Sequence, residues 1–414
     1  MNIQSFDNDP APKRFHVGTH RLTDPSQTLQ RVTPFMSAMG ITRVGNITGL
    51  DRIGIPVAIA VRPNSRSLAV AQGKGTSLDA AKASALMEAI ETYHAENIVH
   101  SLRYGTYADL RQVCNLVEID ALPAAPSTRF HSHLQMLWLD GYDLIRREPV
   151  VVPYELASLN FTLPMPPGSG CFVANSNGLA SGNHILEAVS HAISELVERD
   201  ALALFELRDP EQCDERRLRI QTIDDEACCF MLERFRAAGI SVGLWDMTSG
   251  IGMAAFLCII SDPGNAKTHA EYRASGTGCH SSRSIALLRA MTEAAQLRLA
   301  YISGSRDDLF RVVQARFRHP NGPVRPSSQL QLGDGARNFR SVPDVKIETF
   351  QAEVAWQLER LRNVGISRAI AVDLTRSEFQ IPVVKIIIPG LEGYPYGPNY
   401  VPGLRANQMK RATA

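Results

Sequence analysis

The chain writes one strand-turn-helix pattern three times, and that repetition constrains its fold more than any other feature of its 414 residues. The copies are Ala71-Gln72-Gly73-Lys74-Gly75 leading to Glu88-x-x-Glu91, Gly178-Leu179-Ala180-Ser181-Gly182 leading to Glu195-x-x-Glu198, and Gly276-Thr277-Gly278-Cys279-His280 leading to Glu293-x-x-Gln296. In each copy the first small residue lies 17 positions before the first glutamate, the kind of agreement by which internal repeats are found. At about 100° per residue, Ala81 and Ala85 fall within about 60° of Glu88 on a helical wheel. Ala188 and Ala192 flank Glu195 in the same way, and Ala286 and Ala290 flank Glu293. Three carboxylates therefore project from stripes of alanine, the composition expected where helices pack closely.

Charged side chains are seldom fully buried unless paired or bound to metal. An i,i+3 spacing sets both acids of a pair on neighbouring parts of one face. Two such helices brought together hold four carboxylates around a small space, an arrangement that invites a cation. Hard oxygen ligands of this sort suit magnesium, which takes a few carboxylates and completes its shell with water and phosphate oxygens. A single Glu-x-x-Glu is commonly a solvated helix face; two in register, each on an alanine stripe, favour the metal.

Apolar residues at 44% and charged residues at 21% provide ample material for a core. The net charge of +1 calls for no nucleic-acid partner, and no segment reaches membrane-spanning length. The seven cysteines, an odd number without a Cys-x-x-Cys pair, argue against a zinc site and a disulfide framework. A reducing cytosol is the expected compartment, and the opening residues Met1 to Asp9 do not resemble a secretory signal. Cys279, after a glycine turn, is expected to be a small buried thiol rather than a nucleophile.

Along the chain, Asp24-Pro25 opens a helix that Gly40 ends. Strands are expected at 57–61, at 67–72 for the first repeat and at 171–174 for the second, with repeat helices over about 78–97 and 183–207. Met136 to Leu139 and Val150 to Tyr154 read as antiparallel strands. A helix over 224–238 and strands over 240–246 and 254–261 lead into the third repeat. A polar loop is expected around Arg318 to Asp334. The tail holds a helix over 350–363 and strands over 367–373 and 383–388. The alternation makes the class α/β or α+β on mixed sheets. The domain reading is an arm and helix over 1–45, a main domain over 46–392 and a peripheral tail over 393–414.

Asn177-Gly178-Leu179-Ala180-Ser181-Gly182-Asn183, followed by Glu187, Glu195 and Glu198-Arg199-Asp200, resembles the central signature of the YcaO family. Gly49-Leu50-Asp51-Arg52-Ile53-Gly54-Ile55-Pro56-Val57, Gln72-Gly73-Lys74-Gly75 and Gly304-Ser305-Arg306-Asp307-Asp308 are similar to it too, and the resemblance runs over roughly residues 13–392. It implies a YcaO-type fold and an ATP- and Mg2+-dependent enzyme that activates a backbone amide of a peptide or protein. No Walker loop is expected in such a fold, and Gly73-Lys74-Gly75-Thr76 lacks the Walker spacing.

By position, the resemblance implies that Glu88, Glu91, Glu195 and Glu198 hold magnesium. Asn183, Glu187, Arg199, Arg289 and Glu293 would line the nucleotide, with Arg199 and Arg289 also catalytic. Lys13, with Thr19 or His20, would reach the phosphates from the arm. Arg199 and Arg289 also have the spacing of ordinary helix ion pairs, with Glu195 and Glu293 respectively. Ala180 stands where some relatives carry serine. If a Cys, Ser or Thr of the substrate attacks the activated amide, the product is an azoline; if sulfide attacks, it is a thioamide. The end of the chain lacks the proline-alternating tail of many cyclodehydratases. The wording around Gly18-Thr19-His20-Arg21 and Gly304 to Asp308 resembles the branch that works beside a TfuA-type partner, for which a thioamide is expected. A separate protein for substrate docking or sulfur delivery and a homodimer are further expectations. The alternative is a cyclodehydratase, or an accessory factor for methylthiolation of a ribosomal protein.

Overall fold

The computed structural model describes residues 10–262, 272–305, 331–397 and 399–413. Met1 to Asp9, most of the polar loop and Arg306-Asp307-Asp308 lie outside the described residues. Helices are α1 (Pro25–Val32), α2 (Leu78–Glu96), α3 (Tyr107–Leu110), α4 (Ile185–Phe205), α5 (Pro210–Asp214), α6 (Glu226–Ala237), α7 (Arg283–Ser303), α8 (Phe350–Asn363) and α9 (Leu404–Thr413). Strands are β1 (Arg43–Asn46), β2 (Val57–Val61), β3 (Val70–Lys74), β4 (Arg103–Gly105), β5 (Met136–Asp143), β6 (Glu148–Pro153), β7 (Leu179–Ser181), β8 (Ser241–Asp246), β9 (Ala254–Asp262), β10 (Tyr272–His280), β11 (Ile370–Asp373) and β12 (Val383–Ile387). They form sheets ordered β1-β2-β3, β10-β9-β8 and β4-β5-β11-β12-β7, with β6 on β5. Every strand pair in these sheets is antiparallel, and the described parallel pairing is confined to isolated bridges. The architecture is α+β.

Local chemistry sets the helix starts. Asp24 accepts Ser26 N at 2.8 Å to cap α1, and Ser77 accepts Ala80 N at 3.2 Å to cap α2. His184 Nδ1 takes Leu186 N at 3.2 Å before α4. Each repeat helix anchors its own core. α2 shares one core cluster with Trp138, Val152 and Ile370, α4 a second with Leu257, Val384 and Leu361, and α7 a third with Phe256, Phe235 and Phe339.

In all three copies the strand is the small-residue motif itself: β3, β7 and β10. The second repeat's strand is therefore Leu179–Ser181, not 171–174, and the first lies at Val70–Lys74, slightly later than expected. The segment 171–174 is apolar enough for a strand. However, the buried carboxylate of Glu155 accepts Cys171 N at 3.1 Å and Phe172 N at 3.0 Å, which takes up the amides a ladder would use.

The six stripe alanines, Ala81, Ala85, Ala188, Ala192, Ala286 and Ala290, are all fully buried. Their close neighbours include the strand of their own repeat. A Cβ on Gly73 would overlap Ala85 N and Ala81 O, and one on Gly278 would overlap Ala286 O and Ala290 N. Side chains alternate across a strand, so the residues between these small ones point the other way. Gln72 and Lys74, Leu179 and Ser181, and Thr277 and Cys279 form that second face.

Gly73→Ala should destabilise the fold by about 1–3 kcal/mol, because backbone atoms cannot yield as a flexible side chain does. Gly49→Ala, where a Cβ meets nothing within 4 Å, should be close to neutral. Urea denaturation of the two variants checks the contrast.

Candidate active site

The second faces of the three strands do not meet their own helices. Ser181 of β7 donates from its amide (2.8 Å) and its hydroxyl (2.7 Å) to Glu91 of α2. Thr277 of β10 donates to Glu198 of α4 at 2.7 Å. Lys74 of β3 pairs with Glu293 of α7 at 2.5 Å, and Gln296 of α7 donates to Gln72 O of β3 at 3.0 Å. Each helix thus hands an acid to the strand of the next repeat, and the third returns to the first. The repeats close into a ring with acids at its three junctions. Glu195 faces inward within its own repeat, accepting Gly178 N at 3.1 Å.

The charges around this ring are strongly coupled. Burial, then the neighbouring Glu88 and Glu195, push the Glu91 carboxyl up to about 8 despite its bonds from Ser181. Burial also raises Glu198, against the pull of Arg199. Arg199 lies 3.3 Å from Glu195 and 3.1 Å from Glu198, with its guanidinium 5.1 Å from the Tyr394 ring. Burial works against the Arg199 charge, but Glu198, Glu195 and Glu293 outweigh it and raise its pKa. Glu293 is half-buried; desolvation opposes its charge, yet Lys74, Arg199 and Arg289 hold it below the usual carboxylate range. Glu198 Oε2, Arg199 Nε and Arg289 Nε are buried without a hydrogen-bond partner. Such atoms are costly to leave unsatisfied.

Beside the ring lies a narrow cleft lined by His20, Arg21, Glu187, His191, His280, Arg289 and Glu353, among others. The N-terminal arm reaches it because Lys13 N and Phe350 N bond to Glu348 O and Ala11 O, tying the arm to the start of α8. Lys13 Nζ sits 2.9 Å from Glu353 Oε1, with His20 Nδ1 at 3.4 Å. Glu353 also takes the hydroxyls of Ser190 (2.7 Å) and Ser281 (2.5 Å). Burial opposes its charge, and His280, Lys13 and Ser281 overcome that opposition to hold it at about 2. Burial drives His280 to about 3 and His20 to about 4. Near neutrality both imidazoles are therefore uncharged, and Lys13 is the ionic partner of Glu353.

Glu187 takes Leu22 N at 3.0 Å and has Arg21 at 3.6 Å; its carboxyl is raised by burial in spite of them. Asn183 exchanges hydrogen bonds with Thr28 at 3.0–3.2 Å. Arg289 meets His191 Nδ1 at 3.3 Å, and His191 is kept neutral by burial and then by Arg289. Thr19 is half-buried on the arm beside Gly18, which abuts Thr76. Ala180 is fully buried in β7.

Of the residues singled out in the sequence, the structure brings Glu91, Glu195, Glu198, Arg199 and Glu293 into one electrostatic unit, with Glu88 in the field of Glu91. Lys13, His20, Glu187 and Arg289 line or border the cleft, and Asn183 lies at its α1 side. Among the described residues no three His, Cys, Asp or Glu side chains stand close enough to form a metal cage unaided. Magnesium commonly takes only one or two carboxylates and leaves the rest of its shell to water and phosphate. The acids fit that role: a Glu91 carboxyl pushed to about 8 by burial and then by its acidic neighbours and an unpartnered buried oxygen on Glu198 both gain from a cation.

Glu353, His191 and Tyr394 carry no repeat or spacing signal, whereas Thr277 and His280 sit inside the third repeat's own motif. Lys74 and Arg21 lie inside motifs whose neighbours drew the attention. The tail expected to be peripheral packs on α4. Arg405 pairs with the buried Asp200 at 2.8 and 3.1 Å, Tyr396 bonds to Glu206, and Glu392 takes Gly403 N and Ala406 N at 2.8 Å. Among the described residues, no helix is long and apolar enough to cross a membrane.

Residues 72–392 match the family model described as YcaO cyclodehydratase, ATP- and Mg2+-binding. An uncharacterized protein in the tfuA 3' region of Rhizobium leguminosarum bv. trifolii is 38% identical over 90% of this chain and 88% of its own length. Two solved structures share the fold. A heterocyclase in complex with substrate and cofactor superimposes with a TM-score of 0.78 at 21% identity, over 93% of this chain and 54% of that one. YcaO from Methanopyrus kandleri, bound with AMPPCP and Mg2+, gives 0.71 at 21% identity over 95% and 98%. The chain belongs to the YcaO family, whose members bind ATP and Mg2+.

The raised Glu91 carboxyl makes a signed prediction. Between the ordinary carboxylate value of 4.5 and about 8 the folded protein binds the proton more tightly than the unfolded chain, so stability should fall as pH rises through that window. Thermal melts in EDTA should show this decline. Glu91→Gln should flatten it, and added Mg2+ should counter it at the alkaline end.

Proposed function

We propose that this protein uses ATP and Mg2+ to phosphorylate the oxygen of a backbone amide in a peptide or protein, and that a sulfur nucleophile then adds to give a thioamide. An amide oxygen is a weak nucleophile and its carbon a weak electrophile. Once the oxygen attacks the γ-phosphorus and ADP departs, the carbon carries a good leaving group. Sulfide adds at that carbon, and phosphate leaves with the former amide oxygen. Phosphoryl transfer demands positioning and charge neutralisation more than covalent participation.

The observation that carries this reading is the ring of acids from three helices, interleaved with Arg199, Arg289 and Lys74, in a member of an ATP- and Mg2+-binding family. In this reading Glu88, Glu91, Glu195 and Glu198 hold magnesium. The metal would clamp the phosphate oxygens and offset their charge. Asn183, Glu187, Arg289 and Glu293 line the nucleotide. Arg199 and Arg289, whose buried Nε groups have no hydrogen-bond partner, would offset the charge that develops on the transferred group. Lys13, with Thr19 or His20, reaches the phosphates from the arm, and Glu353 keeps Lys13 in place.

The thioamide product, rather than an azoline, is supported by the relative in the tfuA 3' region. A TfuA-type protein that docks substrate or delivers sulfur is part of the proposal, as is a homodimer. All seven cysteines are unpaired, which suits the reducing cytosol proposed for it.

Purified protein incubated with ATP, Mg2+, a sulfide source, the partner and a candidate peptide should release phosphate and shift the peptide mass by exchange of oxygen for sulfur. Loss of water instead would assign an azoline-forming cyclodehydratase. Phosphate release without any peptide change, across a verified cognate set, would reject peptide chemistry. Glu198→Gln should reduce turnover at least about a hundredfold while leaving the circular dichroism spectrum unchanged.

A further inference from the structure

Lys74 has no part in the assignments carried over by position, although it sits in the ring. Its place on β3 corresponds to Ser181 on β7 and Cys279 on β10. In each copy that residue faces an acid of the preceding repeat. Ser181 donates to Glu91 at 2.7 Å, the buried Cys279 lies in the field of Glu198, and Lys74 meets Glu293 Oε2 at 2.5 Å. Of these three residues, only Lys74 contributes a positive charge.

α7 departs from the pattern in a second, matching way. Where α2 and α4 carry a second glutamate, α7 carries Gln296, whose side chain bonds to the Gln72 carbonyl at 3.0 Å. Two independent positions, one on a strand and one on a helix, thus make the third junction less negative than the others. The Lys74 and Glu293 side chains are 19% and 27% exposed, so solvent screens the pair and it adds little to global stability. Its value lies in where it puts Glu293. Gly73 and Gly75 press β3 against α2, and the alternation of the strand turns Lys74 toward α7.

We propose that Lys74 is the resident cation of the third junction: a positioning residue that holds Glu293 toward the nucleotide and fills the place a further divalent ion would otherwise take. It thereby limits how many ions the site binds. The proposal rests on the reading of the acids as magnesium ligands.

The test uses the full chain, a non-hydrolysable ATP analogue and Mn2+, with bound ions counted by electron paramagnetic resonance. Lys74→Met should weaken analogue binding about tenfold at limiting Mn2+, the value of one charge-assisted contact. Lys74→Arg, which keeps the cation, should restore most of the affinity. The double variant Lys74→Met with Gln296→Glu recreates the acid pair of the other repeats without the ammonium, and should bind one more Mn2+ per chain than the wild type. If the wild type binds Mn2+ and analogue while Lys74→Met matches its affinity, or the double variant matches its ion count, the Lys74 proposal is wrong and the magnesium reading stands. A wild type that binds neither would remove both.

Discussion

The closeness with which glycine- and alanine-bearing strands lie on alanine-faced helices is the constraint on which the rest of this molecule depends. Without a Cβ on Gly73 and Gly278, and with only a methyl on each stripe residue, strand and helix approach to backbone contact. Dispersion over such a surface is individually weak and collectively large. Once one face of the strand is spent on its own helix, alternation sends the other face to the helix of the preceding repeat. The ring is a consequence of that two-sidedness. A bulkier strand would hold Ser181, Thr277 and Lys74 too far from Glu91, Glu198 and Glu293 to bond with them.

Bringing acids into those junctions has an electrostatic cost, and the three junctions meet it differently. At the first, Glu91 takes two bonds from Ser181 and still carries a carboxyl shifted to about 8 by burial and its acidic neighbours. At the second, Arg199 holds both Glu195 and Glu198, yet Glu198 keeps a buried oxygen without a partner. At the third, lysine answers glutamate directly. An enzyme that must neutralise a polyphosphate needs such graded sites. A fully satisfied ring would have no affinity to offer, and a ring of bare acids would protonate instead of recruiting cations.

Periodicity made the scaffold legible. The alanine stripes predict burial, and all six alanines are fully buried; the expected limits of the repeat helices lie within two residues of α2 and α4. The alanine stripes did not reveal what would cover them, since a helix pattern records which face is apolar and not which element meets it. The strand expected at 171–174 failed for a related reason. Apolar composition is blind to Glu155, whose carboxylate takes the amides of Cys171 and Phe172. Glu353 was invisible because no second acid stands three or four positions from it on α8, and its partners Lys13, Ser190 and Ser281 come from three other parts of the chain. Residues that act through tertiary partners leave no spacing to read, whereas the Glu-x-x-Glu pairs were found because repetition displays them.

Both ends of the described chain are drawn to this centre by side chains of that second kind. Tyr394 lies against Arg199 from the C-terminal side, and Lys13 enters from the N-terminal side already paired to Glu353. The pairing does not disable Lys13 for the role proposed for it. An ammonium carries three hydrogens, and here Glu353 and His20 account for two of them. A phosphate oxygen could take the third without displacing Glu353. A carboxylate held ionised beneath the lysine also orients the ammonium before any ligand arrives. That is the preorganisation on which charge stabilisation in a site of this kind depends.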